Sequence, residues 1–152
     1  MTKLLLSLHV LAAIIAVGPV TVAASMFPAT TRRALTAPDR DLSPLRTLHR
    51  ICRVYAGVGI AVPVLGMATA SVMGVLGDAW LVVSMGLTAV AAGVLVLAVL
   101  PGQDGLLTAL TAGDAPAPPA LTRLAGYTGL FNVLWAVVTV LMVVRPGSTT
   151  GA

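Results

Sequence analysis

The chain has 152 residues, of which 58% are hydrophobic and 9% are charged, and its mean hydropathy is +1.01. A soluble domain carries roughly 25% charged residues, so this inventory excludes a water-soluble fold of this size and indicates a membrane protein. The net charge of +4 is typical of arginine-rich cytoplasmic loops rather than of nucleic-acid binding, and the single cysteine, Cys52, excludes an internal disulfide.

Four apolar segments predict the fold. They lie at about residues 4–27, 49–74, 79–100 and 121–144, and each reaches the roughly 20 residues that a membrane span needs. An open strand cannot satisfy its backbone groups in lipid, so each segment should be a helix. We predict an all-α integral membrane protein, a bundle of four transmembrane helices in up-down-up-down order. Residues 1–152 form a single domain that ends in a short flexible tail over 145–152.

The first segment has the outline of a signal peptide, because Lys3 precedes it and the small residues Ala23, Ala24 and Ser25 end it. The apolar region of a signal peptide has about 7–15 residues, whereas this apolar run covers residues 4–27. We therefore expect the segment to be retained as the first span.

The distribution of basic residues predicts the orientation. With four spans, the first and third connections share one face, and seven of the nine basic residues lie in or beside them. They are Arg32, Arg33, Arg40, Arg46, Arg50, Arg53 and Arg123, whereas Lys3 and Arg145 lie on the opposite face. Since basic loops stay in the cytoplasm, the sequence predicts a multi-pass protein of the plasma membrane with both termini outside.

One ionisable side chain, His9, lies inside the apolar run of the first span. Residues three and four apart share a helix face. The face of His9 holds mostly small residues, namely Ala12, Ala13, Ala16, Val20, Ala23 and Ala24. The opposite face holds the large aliphatic residues Leu4, Leu8, Leu11, Ile15 and Val22. Because small residues line helix contacts in membranes and large aliphatic residues face lipid, His9 should point into the bundle.

Polar residues of the other spans are candidate partners for His9. A polar stripe of the fourth segment consists of Thr128, Asn132, Trp135, Thr139 and Met142. Thr139 should lie near the depth of His9, as should Ser84 and Met85 of the third segment. One interpretation is that His9 bonds a hydroxyl group and fixes the helix register.

The other interpretation is functional, because an ionisable residue inside a membrane is a candidate for function by default. In this reading His9 handles protons or binds haem b or a metal ion. The residues that would complete a cofactor site with it are Met85, Asn132 and Thr139, and Met142 is a further candidate ligand for a haem iron.

A basic cluster lies at the start of the second span, where Arg46, His49, Arg50 and Arg53 share one helix face. One interpretation is that these side chains reach the interface and bind the phosphates of anionic lipids on the cytoplasmic side. The alternative is an anion pocket for a quinone headgroup, a nucleotide or haem propionates.

Two prolines, Pro19 and Pro63, lie inside predicted spans. Each removes a backbone donor from the carbonyl group four residues earlier, at Ile15 and Gly59, and so predicts a kink. Small residues recur at four-residue steps in the second and third spans. They allow close approach of helices, either within one chain or between the copies of a homo-oligomer.

The motifs of common catalytic sites are missing from the sequence. It has no HExxH and no Gly-rich phosphate loop, and its five aspartates lie in loops or at span ends, which leaves enzymatic activity uncertain. The favoured function is a non-enzymatic scaffold or an accessory subunit with a membrane-protein partner. The alternative is a haem- or metal-binding membrane redox protein that uses His9. Transport of a small apolar solute, suggested by the proline-bent helices, is a third hypothesis.

Two stretches of the chain resemble a family of small bacterial integral membrane proteins that is classed as a domain of unknown function. They are LLLSLHVLAAIIAVGP at residues 4–19 and GLFNVLWAVVTVLMVVRPG at residues 129–147. The absence of glutamate and the excess of alanine, valine, leucine and glycine are typical of GC-rich bacterial genomes.

That family is usually compared with CopD-like copper-resistance proteins and HemJ-like protoporphyrinogen oxidases, in which a histidine of the first helix is a metal or haem candidate. The resemblance implies that His9 occupies the position of interest. The chain departs from the pattern at Asn132, where related sequences often carry a charged residue, and in having no second interior histidine at the depth of His9.

Overall fold

A computed structural model of the chain describes residues 1–147. Its helices are α1 (Thr2–Thr36), α2 (Ser43–Val58), α3 (Ala61–Met73), α4 (Ala79–Val94), a π-helical turn (Leu95–Val99), α5 (Leu100–Thr111) and α6 (Pro118–Val144). Within the described residues, four helical stretches are long and apolar enough to cross a membrane, which confirms the predicted all-α, four-span class. The flexible tail expected over 145–152 lies outside the described residues from position 148 onward.

Contacts between connections show that the spans alternate in direction. At one end, the guanidinium group of Arg145, just after α6, lies 5.6 Å from the ring centre of Trp80, just after the short second connection. At the other end, the Arg40 side chain in the first connection lies 3.5 Å from the carbonyl oxygen of Gly113 in the third. The long, basic connections therefore share one end of the bundle, which we call the basic end.

The spans pack in sequence order around the bundle. Helix α1 packs along α2 and α3 on one side and against α6 on the other, and α6 packs along α4 and the π-helical turn. Contacts between α2 and α5 join the second span to the third. Each span therefore touches its two neighbours in a four-membered ring.

The helices continue further into the basic end than the hydropathy of the sequence predicts. Helix α1 alone has 35 residues and is therefore about 52 Å long, against about 30 Å for the hydrocarbon core of a bilayer. The second connection is short, so the excess length lies at the basic end. Most of the residues expected to form loops there, including 101–111, are helical and carry the bundle past the lipid tails.

The two faces predicted for α1 are confirmed. Ala16, Val20, Ala23 and Ala24 on the face of His9 are buried, with at most 2% exposure. The large residues predicted to face lipid are all exposed, namely Leu4, Leu8, Leu11, Ile15 and Val22. Helical periodicity therefore places the His9 ring on the packed side of the first span.

The prolines of the first and second spans differ in their effect on the helix. Helix α1 runs without a break through Pro19 and Pro28. The second span is interrupted at Gly59 and Ile60, and the freed Gly59 carbonyl accepts a hydrogen bond from Val62 N–H at 3.1 Å instead. The disruption expected from Pro63 is therefore present as a break in the helix, whereas no break occurs at Pro19.

A π-helical turn precedes Pro101 in the third span. The Leu100 N–H donates to the carbonyl of Leu95, five residues earlier. A proline ring in an ordinary helix would clash with the carbonyl group four residues before it, and the wider π turn supplies room. The helix consequently continues through Pro101 to Thr111, where the sequence predicts that the span ends near Leu100.

The largest buried cluster lies toward the basic end. Its fully buried members include Phe27, Leu45, Cys52 and Val99, with Leu124 at 2% exposure, and they come from all four spans. The cluster at the opposite end is smaller and consists of Ala70, Trp80 and Leu81 with two partly buried neighbours. The basic end is therefore the better packed half of the bundle.

Candidate functional site

The imidazole of His9 is anchored to the second span. Its Nδ1 lies 3.0 Å from the carbonyl oxygen of Val62 at the start of α3. A carbonyl oxygen only accepts hydrogen bonds, so Nδ1 carries the hydrogen and the neutral ring keeps the lone pair on Nε2. His9 thus joins two spans through one nitrogen and leaves the other with the electron pair that a ligand or a donor would use.

A glycine makes room for this ring. A Cβ added at Gly66 would lie 2.9 Å from His9 Cε1 and 3.3 Å from Nδ1, closer than side chains normally approach. The small residue at this point of α3 therefore allows the His9 ring to approach the helix closely and to reach Val62, which is one turn away on the same face.

The side chains expected around His9 make other contacts. Thr139 donates to the Trp135 carbonyl at 2.8 Å, and buried Ser84 donates to the Trp80 carbonyl at 2.7 Å. Met85 is 42% exposed, and the amide of Asn132 donates to Ser25 on α1 at 3.0 Å. Met142 packs at the edge of the Trp80 cluster. Within residues 1–147, no hydrogen bond joins His9 to any of these residues.

The described residues 1–147 contain no group of three or more His, Cys, Asp or Glu side chains close enough to hold one metal ion. A metal or haem at His9 would therefore depend on Nε2 together with softer or neutral ligands.

The polar stripe of α6 faces the interior over two turns. Thr128 is 3% exposed, and Asn132 and Trp135 are partly buried. Thr128 Oγ1, Asn132 Oδ1 and Trp135 Nε1 are each inaccessible and have no hydrogen-bond partner among the described residues. The Trp135 ring packs edge-to-face with the Phe131 ring, with 6.3 Å between the two ring centres. The Asn132 nitrogen donates to Ser25, and that bond ties the fourth span to the first.

The basic cluster of α2 lines a groove. Arg46, His49, Arg50 and Arg53 lie together with Val54 and with Leu107 of α5 around a volume of about 380 Å³. A second depression of about 460 Å³ shares Arg46 and Leu107 and continues along α5 past Thr108 and Thr111. The four residues predicted to share a helix face therefore line one surface, and α5 supplies its second wall.

His49 turns from this groove into the protein. Its Nδ1 lies 3.0 Å from Oε1 of Gln103, and the Gln103 amide nitrogen donates to the sulfur of Cys52 at 3.5 Å. Gln103 and Cys52 are fully buried, and His49 is 9% exposed. Because the amide oxygen only accepts, His49 donates from Nδ1, and the three side chains form a buried hydrogen-bonded chain between the second and third spans.

Gln103 is absent from the residues predicted to be functional. Because Pro101 was expected to end the third span, Gln103 was expected to lie in an exposed loop, where a polar side chain does not indicate a site. The available signal was its spacing, since Gln103, Leu106, Leu107 and Leu110 repeat at helical intervals beyond the proline.

Two carboxylates modify the charge of the groove. Asp104 Oδ1 lies 3.7 Å from His49 Nε2, and its side chain is 72% exposed. Asp41 accepts a hydrogen bond from Ser43 N–H at 2.9 Å, and this bond, with the Arg46 charge as a smaller contribution, holds the pKa of the Asp41 carboxyl below its ordinary value. Both carboxylates lie at the edge of the basic cluster.

The fold, the lipid-facing aliphatic surfaces and the interior polar contacts define a multi-pass integral membrane protein built as a four-helix bundle. Comparison with family models then gives a family. Residues 3–146 match the family described as predicted integral membrane protein (DUF2269), and the chain belongs to it. The predicted membership in a family of integral membrane proteins of unknown function is confirmed.

The other comparisons add no relative. No curated protein and no solved structure matches the chain. The comparisons thus provide no support for similarity to CopD-like or HemJ-like proteins, and the expectations drawn from those families rest on the quoted sequence stretches alone.

Proposed function

We propose that this protein is a non-enzymatic scaffold or accessory subunit of the plasma membrane, with its basic end in the cytoplasm and both termini outside. The observation that supports this function most directly is the use of the interior polar groups. His9 ties the first span to the second, His49 and Gln103 tie the second to the third, and Asn132 ties the fourth to the first.

These contacts are expected of a structural role. In a membrane bundle, polar side chains that bond across helices hold the helices in one arrangement. Each of the three contacts joins a different pair of spans, and two of them use a histidine or glutamine that a catalytic site would otherwise employ. The orientation is supported by the seven arginines in or beside the two long connections at the basic end.

A second function is favoured by one specific feature, the tautomer of His9. A metal-ligating histidine commonly donates one ring N–H to a backbone carbonyl, which orients the ring and leaves the other nitrogen for the ligand. His9 makes this bond to Val62. A redox protein that binds haem b or a metal ion through His9 Nε2 is therefore the alternative to the scaffold.

An absorption spectrum and a metal analysis of the purified full chain distinguish the two functions. As a scaffold, the wild type and the His9→Ala variant should both be featureless in the visible range and contain no stoichiometric metal. A Soret band or a bound metal that disappears in His9→Ala would overturn the scaffold and establish the alternative. The Thr122→Ala variant, which changes an exposed side chain near the start of α6, is the control.

A further inference from the structure

The groove on α2 has the charge and the shape of an anion site. Arg46, Arg50 and Arg53 are exposed, and within residues 1–147 none of their guanidinium groups lies within salt-bridge distance of a carboxylate. They follow one another at four- and three-residue steps, so their heads can converge over one face of α2. The described part of the chain thus leaves three cations together without a counter-charge in direct contact.

The depth of the groove suggests where its ligand lies. The second span ends near Met73, and about 20 residues counted back from there cover the hydrocarbon core, which places Arg53 at its boundary. Arg50 and Arg46 lie about 4.5 Å and 10.5 Å further along the helix axis. The headgroup layer extends about 5–8 Å beyond the core on each side, so Arg50 lies at the level of the lipid phosphates and the long side chain of Arg46 reaches toward them from just outside. Val54 and Leu107 form an apolar wall on the same groove.

We propose that this groove is a specific binding site for a phosphate group, supplied by an anionic phospholipid headgroup or by free phosphate. The planar forks of Arg46, Arg50 and Arg53 would bind the phosphate oxygens in pairs. The volume of about 380 Å³ is within the range of roughly 300–1,000 Å³ that is usual for small-ligand sites.

His49 holds the two walls of the groove together. Its Nδ1 is occupied by Gln103, which fixes the first turns of α2 against α5 and therefore fixes the spacing of the arginines and Leu107. Asp104 weakens the binding of an anion, because its exposed carboxylate lies beside His49 and repels a negative charge in the groove. The proposal depends neither on a scaffold role nor on a cofactor at His9.

Native mass spectrometry of the detergent-purified full chain tests the proposal. The probes are phosphatidylglycerol, phosphatidylcholine and inorganic phosphate, each titrated separately. The test variant is the triple substitution Arg46→Gln, Arg50→Gln, Arg53→Gln. The control is Arg32→Gln, Arg33→Gln, Arg123→Gln, which removes the same charge from exposed positions of the basic end that do not line the groove.

The expected result is preferential retention of phosphatidylglycerol over phosphatidylcholine by the wild type and by the control. The affinity of the protein for phosphatidylglycerol should fall about fivefold for each groove arginine removed and about a hundredfold when all three are removed. Asp104→Asn should raise the affinity by about twofold to fivefold. Binding of inorganic phosphate with the same dependence on the groove would also support the site and identify free phosphate as the source.

Three results would overturn the proposal. They are an equal loss of binding in the control variant, an unchanged affinity in Asp104→Asn, and retention of neither phosphatidylglycerol nor phosphate by the wild type. If the triple variant fails to fold, the single variant Arg50→Gln carries the test, because it changes one exposed side chain and should still lose about fivefold in affinity.

Discussion

Replacement of Gln103 with leucine should lower the free energy of unfolding by about 2 kcal/mol, because it leaves the buried Nδ1–H of His49 without an acceptor. Leucine has nearly the volume of glutamine, so the cost comes from the lost polar partner rather than from a cavity. Gln103 is fully buried and contacts both His49 and Cys52. Unfolding in mixed detergent micelles, followed by circular dichroism, measures the change.

A double substitution separates this explanation from a general loss of packing. If the cost is an unpaired donor, then His49→Leu together with Gln103→Leu should be more stable than the sum of the single effects by about 1–2 kcal/mol. The control Thr111→Leu, an exposed position of the same helix, should change stability by less than about 0.5 kcal/mol. Strictly additive effects of the two substitutions would show that the pair is not a hydrogen-bonded unit.

Replacement of Gly66 with leucine should destabilise the protein by about 3 kcal/mol. Even the first atom of the new side chain would lie 2.9 Å from the His9 ring, so the ring must move, and we expect the bulk of a leucine to break its bond to Val62. In mixed micelles the variant should unfold at a lower fraction of denaturing detergent than the wild type.

The matched control for this prediction is Gly86→Leu on α4. A Cβ at Gly86 meets nothing within 4 Å, and its side chain would extend into the lipid, so the change in stability should be within about 0.5 kcal/mol. Equal losses in the two variants would mean that the effect belongs to glycine in helices and not to the packing of His9.

The spans and their buried faces could be predicted from the sequence because both follow from solvent preference. Hydrocarbon demands long apolar helices, and the contrast between small and large aliphatic residues on α1 is visible in the spacing of Ala16, Val20 and Ala23 against Leu8 and Leu11. The polar stripe of α6 was predicted for the same reason. Periodicity reports which face of a helix is buried, even though it does not report what that face touches.

The partners of the polar residues could not be predicted in this way. His9 bonds a backbone carbonyl that Val62 presents just after the break in the second span, and backbone carbonyls carry no residue-specific signal. Gln103 was missed because the π-helical turn before Pro101 lets the helix continue. The turn packs against α6 and the helix beyond it packs against α2, and these contacts are not visible in the sequence of the third segment alone.

Cysteine labelling of the two ends of the bundle tests the central claim, a four-span protein with its basic end in the cytoplasm. Cys52 is fully buried, so the parent chain should not react with a membrane-impermeant maleimide and serves as the control. In intact cells, Gly77→Cys in the short connection should be labelled, and Ala115→Cys in the third connection should react only after permeabilisation. Labelling of Ala115→Cys in intact cells, with Gly77→Cys protected, would contradict the account.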